Sequence, residues 1–152
     1  MTVRELLETA LNIEEEGKKF YETLAKKVKN EKYKEFFEKM AKEEEKHAAR
    51  FRCLAEKFED DIYIDSDEAL LYLKNYTEGR VFPKIEDMMK WVEDKSFEDI
   101  VEYSIVMEKE SIIFYTELKA WLRDEKTRKL IDAIIDEERE HIRTLVLMKE
   151  SK

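Results

Sequence analysis

The segment Glu14–Leu24, EEEGKKFYETL, returns 94 positions later as Glu108–Leu118, EKESIIFYTEL. At the same offset Ala41–His47, AKEEEKH, returns as Ile135–His141, IDEEREH. The two matches share one offset without a gap, so the chain holds two copies of one unit. In the first copy, apolar residues recur every three or four positions, the spacing of one face of an α-helix. One stripe runs Val3, Leu6, Leu7, Ala10, Ile13, Gly17, Tyr21, Leu24 and Val28; the next runs Tyr33, Phe36, Phe37, Met40, Ala41, Ala48, Phe51 and Leu54. Each copy therefore reads as a helical hairpin. A hairpin cannot bury its apolar face alone, so two copies closing on each other form a physically sensible unit.

Local signals set the boundaries. Thr2 and Glu5 form a capping box that opens helix A, and Asn30 caps helix B. Ser96 with Asp99 opens helix C, which is expected to run to about Leu122. Helix D follows a tight break near Asp124 and continues through Leu147. From Glu59 to Lys95 the pattern changes. Gly79 and Pro83 fall here, around a short helical run at Asp67–Tyr76 capped by Ser66 and a second run near Ile85–Val92. The expected organisation is one domain over residues 1–152, with hairpin A–B at about 2–58, a crossover at 59–95 and hairpin C–D at about 96–150. Two short links and one long connection give an all-α, ferritin-like antiparallel four-helix bundle with pseudo-twofold symmetry. Helices of roughly 25 residues span about 37 Å, long enough to share one core.

Composition agrees. A chain of 152 residues suits one sizeable core. Charged residues make up 44%, with only two Gly and one Pro, which favours a few long helices over a sandwich, barrel or doubly wound sheet. The net charge of −9 gives no electrostatic reason to hold nucleic acid or an anionic membrane. No stretch approaches the ~20 apolar residues of a membrane span, and the N-terminus lacks a signal-peptide pattern. The lone Cys53 excludes an internal disulfide and a cysteine-based metal site, and fits a reducing, cytoplasmic setting. Cys53 is expected to be buried or half-buried on helix B, and Met40, Met88, Met89 and Met107 to serve packing.

The two histidines both lie in Glu-x-x-His: Glu44 with His47, and Glu138 with His141. At i and i+3 the side chains leave one helix face a turn apart and can grip a common ion. The other two helices each place one glutamate, Glu14 and Glu108, thirty residues before the Glu of that motif. All four glutamates sit within the apolar stripes. Glu14 lies midway between Leu7 and Tyr21, Glu44 between Phe37 and Phe51, Glu108 between Val101 and Tyr115, and Glu138 between Ile131 and Leu145. A carboxylate there is expensive unless a proton or cation neutralises it. Two divalent ions match four carboxylates, and Glu/His donors suit Fe, Mn or Zn. One Glu from each of two helices plus Glu-x-x-His from each of the others is the di-metal carboxylate pattern of bundles. The expected ligands are Glu14, Glu44, His47, Glu108, Glu138 and His141, holding two metal ions per chain.

Tyr21 and Tyr115 follow Glu14 and Glu108 by two turns on the same stripe. They read either as core aromatics or as hydroxyls that hydrogen-bond a ligating carboxylate of the opposite half. Glu15, Glu16, Glu43, Glu45, Glu137 and Glu140 read as solvated surface charge.

The set E14-x6-Y21, E44-x-x-H47, E108-x6-Y115 and E138-x-x-H141 resembles the rubrerythrin branch of the ferritin-like superfamily, over residues 2–57 and 96–150. The resemblance implies that Glu44 and Glu138 bridge the metals, that Glu14 with His47 completes one ion, and that Glu108 with His141 completes the other. It also implies a di-iron centre that reduces hydrogen peroxide or activates dioxygen, in the context of oxidative stress. Rubrerythrins proper carry a further glutamate three residues after the helix C ligand, where this chain has Ser111, and append a four-cysteine rubredoxin domain that this chain lacks. With one cysteine and no flavin or haem motif, electrons are expected from an external donor protein. Alternatives from other classes are an iron-storage subunit and a non-catalytic bundle with a structural metal. A homodimer is the assembly left open.

Overall fold

The computed structural model describes residues 1–58, 63–77, 81–82 and 84–151. Among them are six helices: α1 (Val3–Lys27), α2 (Glu31–Lys57), α3 (Asp67–Thr77), α4 (Ile85–Asp94), α5 (Phe97–Ala120) and α6 (Glu125–Glu150). Gly79 and Pro83 lie outside the described residues.

The helices start where side chains satisfy their first free N–H groups. Thr2 Oγ1 accepts from the Glu5 N–H at 3.2 Å, and the Glu5 carboxylate accepts from the Thr2 N–H at 3.3 Å. Asn30 Oδ1 accepts from the Lys32 and Tyr33 N–H groups at 2.9 and 3.2 Å. Ser66, Ser96 and Asp124 cap α3, α5 and α6 by accepting from Ala69, Asp99 and Thr127. The α5–α6 turn contains no glycine. Helix α5 ends at Ala120, two residues before the expected limit, because the Trp121 and Leu122 N–H groups turn back onto Leu118 and Lys119. Arg128 then donates to the Lys119 and Leu122 carbonyls at 2.7 and 3.1 Å. Helix α6 runs three residues past Leu147, since nothing there breaks it.

Helices α1 and α2 pack closely, as do α5 and α6, forming the two hairpins of a ferritin-like all-α bundle. Between hairpins, Tyr21 and Tyr115 reach across the shared core to Glu108 and Glu14. The crossover joins that core: Ile64, Leu73, Tyr76, Phe82 and Met88 are all buried. Both crossover helices pack on α1, and the start of the crossover is tied to the N-terminus by an antiparallel bridge between Thr2 and Tyr63.

Two packing expectations are corrected. Cys53 is exposed. It falls two residues beyond buried Phe51, and about 100° of helical rotation per residue carries it to the outer face. Met89 is 44% exposed, whereas neighbouring Met88 is buried, because a short helix laid on α1 buries one face only.

Candidate metal centre

Halfway along the bundle the stripes of α1, α2, α5 and α6 are interrupted by the glutamates and histidines singled out in the sequence. Glu14, Glu44, His47, Glu108, Glu138 and His141 are all buried. They form two overlapping groups: Glu14, Glu44, His47 and Glu138 in one, Glu44, Glu108, Glu138 and His141 in the other. Within each group one donor atom per residue lies within 4.8 Å of every other. Glu44 and Glu138 belong to both. His47 Nδ1 stands 3.1 Å from Glu138 and 3.6 Å from Glu14. His141 Nδ1 stands 3.3 Å from Glu138, 3.5 Å from Glu44 and 3.8 Å from Glu108.

This cluster fits metal ions. Glu14 Oε2, Glu44 Oε1, Glu108 Oε2, Glu138 Oε2 and His141 Nδ1 are buried without hydrogen-bond partners. Orphaned buried acceptors are costly, and here they belong to residues gathered in one volume. Oxygen and imidazole donors of this kind suit Fe, Mn or Zn.

With protons as the only counter-charge, the cluster is strongly perturbed. Burial, then the charges of Glu138, Glu14 and Glu108, pushes the Glu44 carboxyl well above the usual range. Burial and Glu138 raise Glu108 to about 8, against a lowering by His141. Burial also pushes Glu14 up, but bonds with Glu44 and His47 outweigh it and leave the group lowered. For His47 burial opposes the charge, yet Glu138 and Glu14 override it and lift the ring to about 11. His141 is raised in the same way, against burial, by Glu108, Glu138, Glu43 and Glu44.

The tyrosines take the second of their two sequence readings. Tyr21 donates to Glu108 Oε1 at 2.5 Å and Tyr115 to Glu14 Oε1 at 2.6 Å, each reaching into the opposite hairpin. Burial, then the nearby carboxylates, keeps both phenols protonated by raising them well above their ordinary value.

Glu43 and Glu137 correct the sequence reading. Each bonds the outer nitrogen of the histidine on the opposite hairpin: Glu137 meets His47 Nε2, and Glu43 meets His141 Nε2. The bond from His141 holds the Glu43 carboxyl below its usual range, over a smaller upward push from burial. With Nε2 engaged outward, Nδ1 of His47 faces Glu14 and Glu138, and Nδ1 of His141 faces Glu44, Glu108 and Glu138. Both glutamates are partly exposed, so their local pattern matches that of solvated charge. The available signal was their pairing at the same offset of 94. Glu15 and Glu45 are surface residues as expected, paired with Arg52 and Lys18. An opening of about 250 Å³, lined by Glu43, Lys46, His47, Arg50, Glu137 and Glu140, leads to this edge of the cluster.

Carboxylates that fix the far nitrogen of a ligating histidine typically contribute 10–100-fold to metal affinity. Glu43→Ala and Glu137→Ala are each expected to weaken metal binding by about that factor. Glu45→Ala should leave it unchanged, as read by competition with a chromophoric chelator.

The fold and the cluster define a ferritin-like helical bundle with a buried carboxylate–histidine site. The chain belongs to the Rubrerythrin family, whose family model matches residues 5–149. It is similar to a Thermotoga maritima protein classed as a ferritin-like diiron-carboxylate protein, with 31% identity and a TM-score of 0.80, covering 99% of this chain and 96% of that one. It also shares its fold with a hypothetical protein from Pyrococcus furiosus, at 24% identity and a TM-score of 0.70, covering 99% and 89% of the two chains. No curated protein matches the chain.

Proposed function

We propose that the chain is a di-iron oxidoreductase that reduces hydrogen peroxide, or activates dioxygen, with electrons from a separate donor protein. The observation that carries this reading is the pair of overlapping buried Glu/His groups that share Glu44 and Glu138. In this reading Glu14 and His47 hold one ion, Glu108 and His141 hold the other, and Glu44 and Glu138 serve both. The likeness to a protein classed as diiron-carboxylate supports iron over manganese or zinc. Held by these residues, an iron pair would supply the two electrons that, with two protons, convert one peroxide to two waters.

The chain's own part is to bind and orient. Tyr21 and Tyr115 hold one oxygen each of Glu108 and Glu14, and leave Oε2 of each carboxylate buried without a hydrogen-bond partner. Glu43 and Glu137 fix the imidazole rings. The Ser111 hydroxyl is committed to the Met107 carbonyl at 3.0 Å, so α5 offers the site one carboxylate where rubrerythrins proper offer two. Slower peroxide chemistry follows, with dioxygen as the alternative oxidant. No described helix is long and apolar enough to cross a membrane. The proposed setting is the cytoplasm, where a lone exposed thiol such as Cys53 stays reduced.

Stopped-flow absorbance on anaerobically reduced, iron-loaded protein tests the reading. One rapid oxidation per site by peroxide is expected, followed by stalling until a donor protein is added. Oxidation by neither peroxide nor dioxygen within minutes would sink the oxidoreductase reading in favour of a structural metal. Sustained turnover without a donor would reveal a second redox centre within the chain.

A further inference from the structure

We propose that Phe82 is a stopper for the centre: its ring, brought in by the crossover, closes the α1 side and leaves the α2–α6 opening as the way in. The proposal rests on the di-metal reading of the Glu/His cluster.

The observation behind it is the space beside Gly17. This residue lies one turn after Glu14 on the buried face of α1. A Cβ built there would stand 2.9 Å from Glu44 Oε2 and 3.1 Å from both Cε2 and Cζ of Phe82. A side chain at Gly17 would collide with both a shared carboxylate and the Phe82 ring, so the two flank the same patch of bare α1 backbone. A mid-helix glycine costs about 1 kcal/mol relative to alanine, and here its missing side chain is what admits the ring. Phe82 is 1% exposed, and its ring packs on Phe20 at 5.6 Å and on Tyr21 at 6.2 Å between centroids. Tyr21 is the residue that holds Glu108. The ring therefore packs on the tyrosine that supports Glu108.

The internal repeat sharpens the point. The counterpart of Gly17 is Ser111, whose Cβ is present and whose hydroxyl turns back to its own helix. On that half the crossover supplies Tyr76 instead, packed on Phe114 at 5.3 Å with its hydroxyl 3.3 Å from Glu110. Phe82 and Tyr76 thus pack on matching phenylalanines of α1 and α5, and Phe82 shares the Gly17 patch with Glu44. The opposite side differs in chemistry: the α2–α6 opening is lined by charged groups and reaches His47. An apolar wall on one side and a charged entrance on the other keep bulk water and bulky molecules from the shared carboxylate, while small polar species enter past His47.

Metal release tests this without relying on turnover. The full chain is loaded with cobalt(II), mixed with excess EDTA, and followed by loss of the cobalt absorbance. Phe82→Ala is expected to release metal at least tenfold faster than wild type, and Phe82→Leu several-fold faster. Leu24→Ala makes a void in the same helix three turns from Glu14, and should stay within twofold. Equal rates for wild type and Phe82→Leu overturn the stopper, even if Phe82→Ala does not fold. So does a Leu24→Ala rate matching Phe82→Ala, because release would then follow general loosening. A wild-type chain that takes up no cobalt overturns the di-metal reading and this proposal with it, whereas a loaded chain with equal rates overturns the stopper alone.

Discussion

Replacing Glu44 and Glu138 together by alanine is expected to abolish binding of both metal ions. The wild-type chain should hold two ions, read by equilibrium dialysis and metal analysis. Each of these glutamates belongs to both donor groups, so the double variant strips shared donors from both ions and removes two of four buried carboxylates. Two positive ions left with Glu14 and Glu108 as their only buried carboxylates would lack counter-charge in a low-dielectric core. Glu14→Ala should mainly affect one ion, because Glu14 belongs to one group alone. Circular dichroism must show that the variants remain helical. Full occupancy of a folded double variant would falsify the assignment.

The second large effect is on stability. Metal binds the folded cluster and not the dispersed ligands of the unfolded chain, so it raises the melting temperature. At a free metal concentration of a thousand times Kd each ion contributes about 4 kcal/mol. For two ions in a chain of this length that amounts to a rise of about 20 °C. The increment should shrink as pH falls from 7.5 to 6. Glu108 at about 8 and His47 at about 11 carry protons in the metal-free protein, and these must leave before the groups can ligate. Lower pH makes that removal harder, so metal affinity and the metal-dependent stability fall together. Scanning calorimetry with and without metal at the two pH values reads both. Without metal, Glu14→Leu with Glu108→Leu relieves two buried carboxyls but orphans the hydroxyls of Tyr115 and Tyr21. Adding Tyr21→Phe and Tyr115→Phe should therefore give metal-free protein that melts no lower than wild type.

Much of this was legible along the chain because it depends on short-range spacing. Caps act over three residues, so Thr2, Asn30, Ser96 and Asp124 mark helix starts before any tertiary contact is known. The i,i+3 spacing of Glu44 with His47 and of Glu138 with His141 is a property of one helix. The offset of 94 carries the inference from one hairpin to the other. Periodicity also puts Glu14 and Glu108 on buried faces, where their cost points to a counter-ion.

Tertiary structure alone decided which side chains meet across the hairpins. A helical period tells a residue to face inward but not what it will find there. The bond from Tyr21 to Glu108 joins residues 87 positions apart, and that between Glu43 and His141 joins residues 98 apart. The bonds of Glu43 and Glu137 leave no trace in the sequence for a related reason: a partly exposed glutamate bonded to a histidine has the same local pattern as one bonded to water. The placement of Phe82 beside the bare backbone of Gly17 is the extreme case, since the crossover repeats nothing and carries little periodicity of its own. Phe82 is buried against Phe20 and Tyr21, an apolar surface that exists only once the bundle has closed.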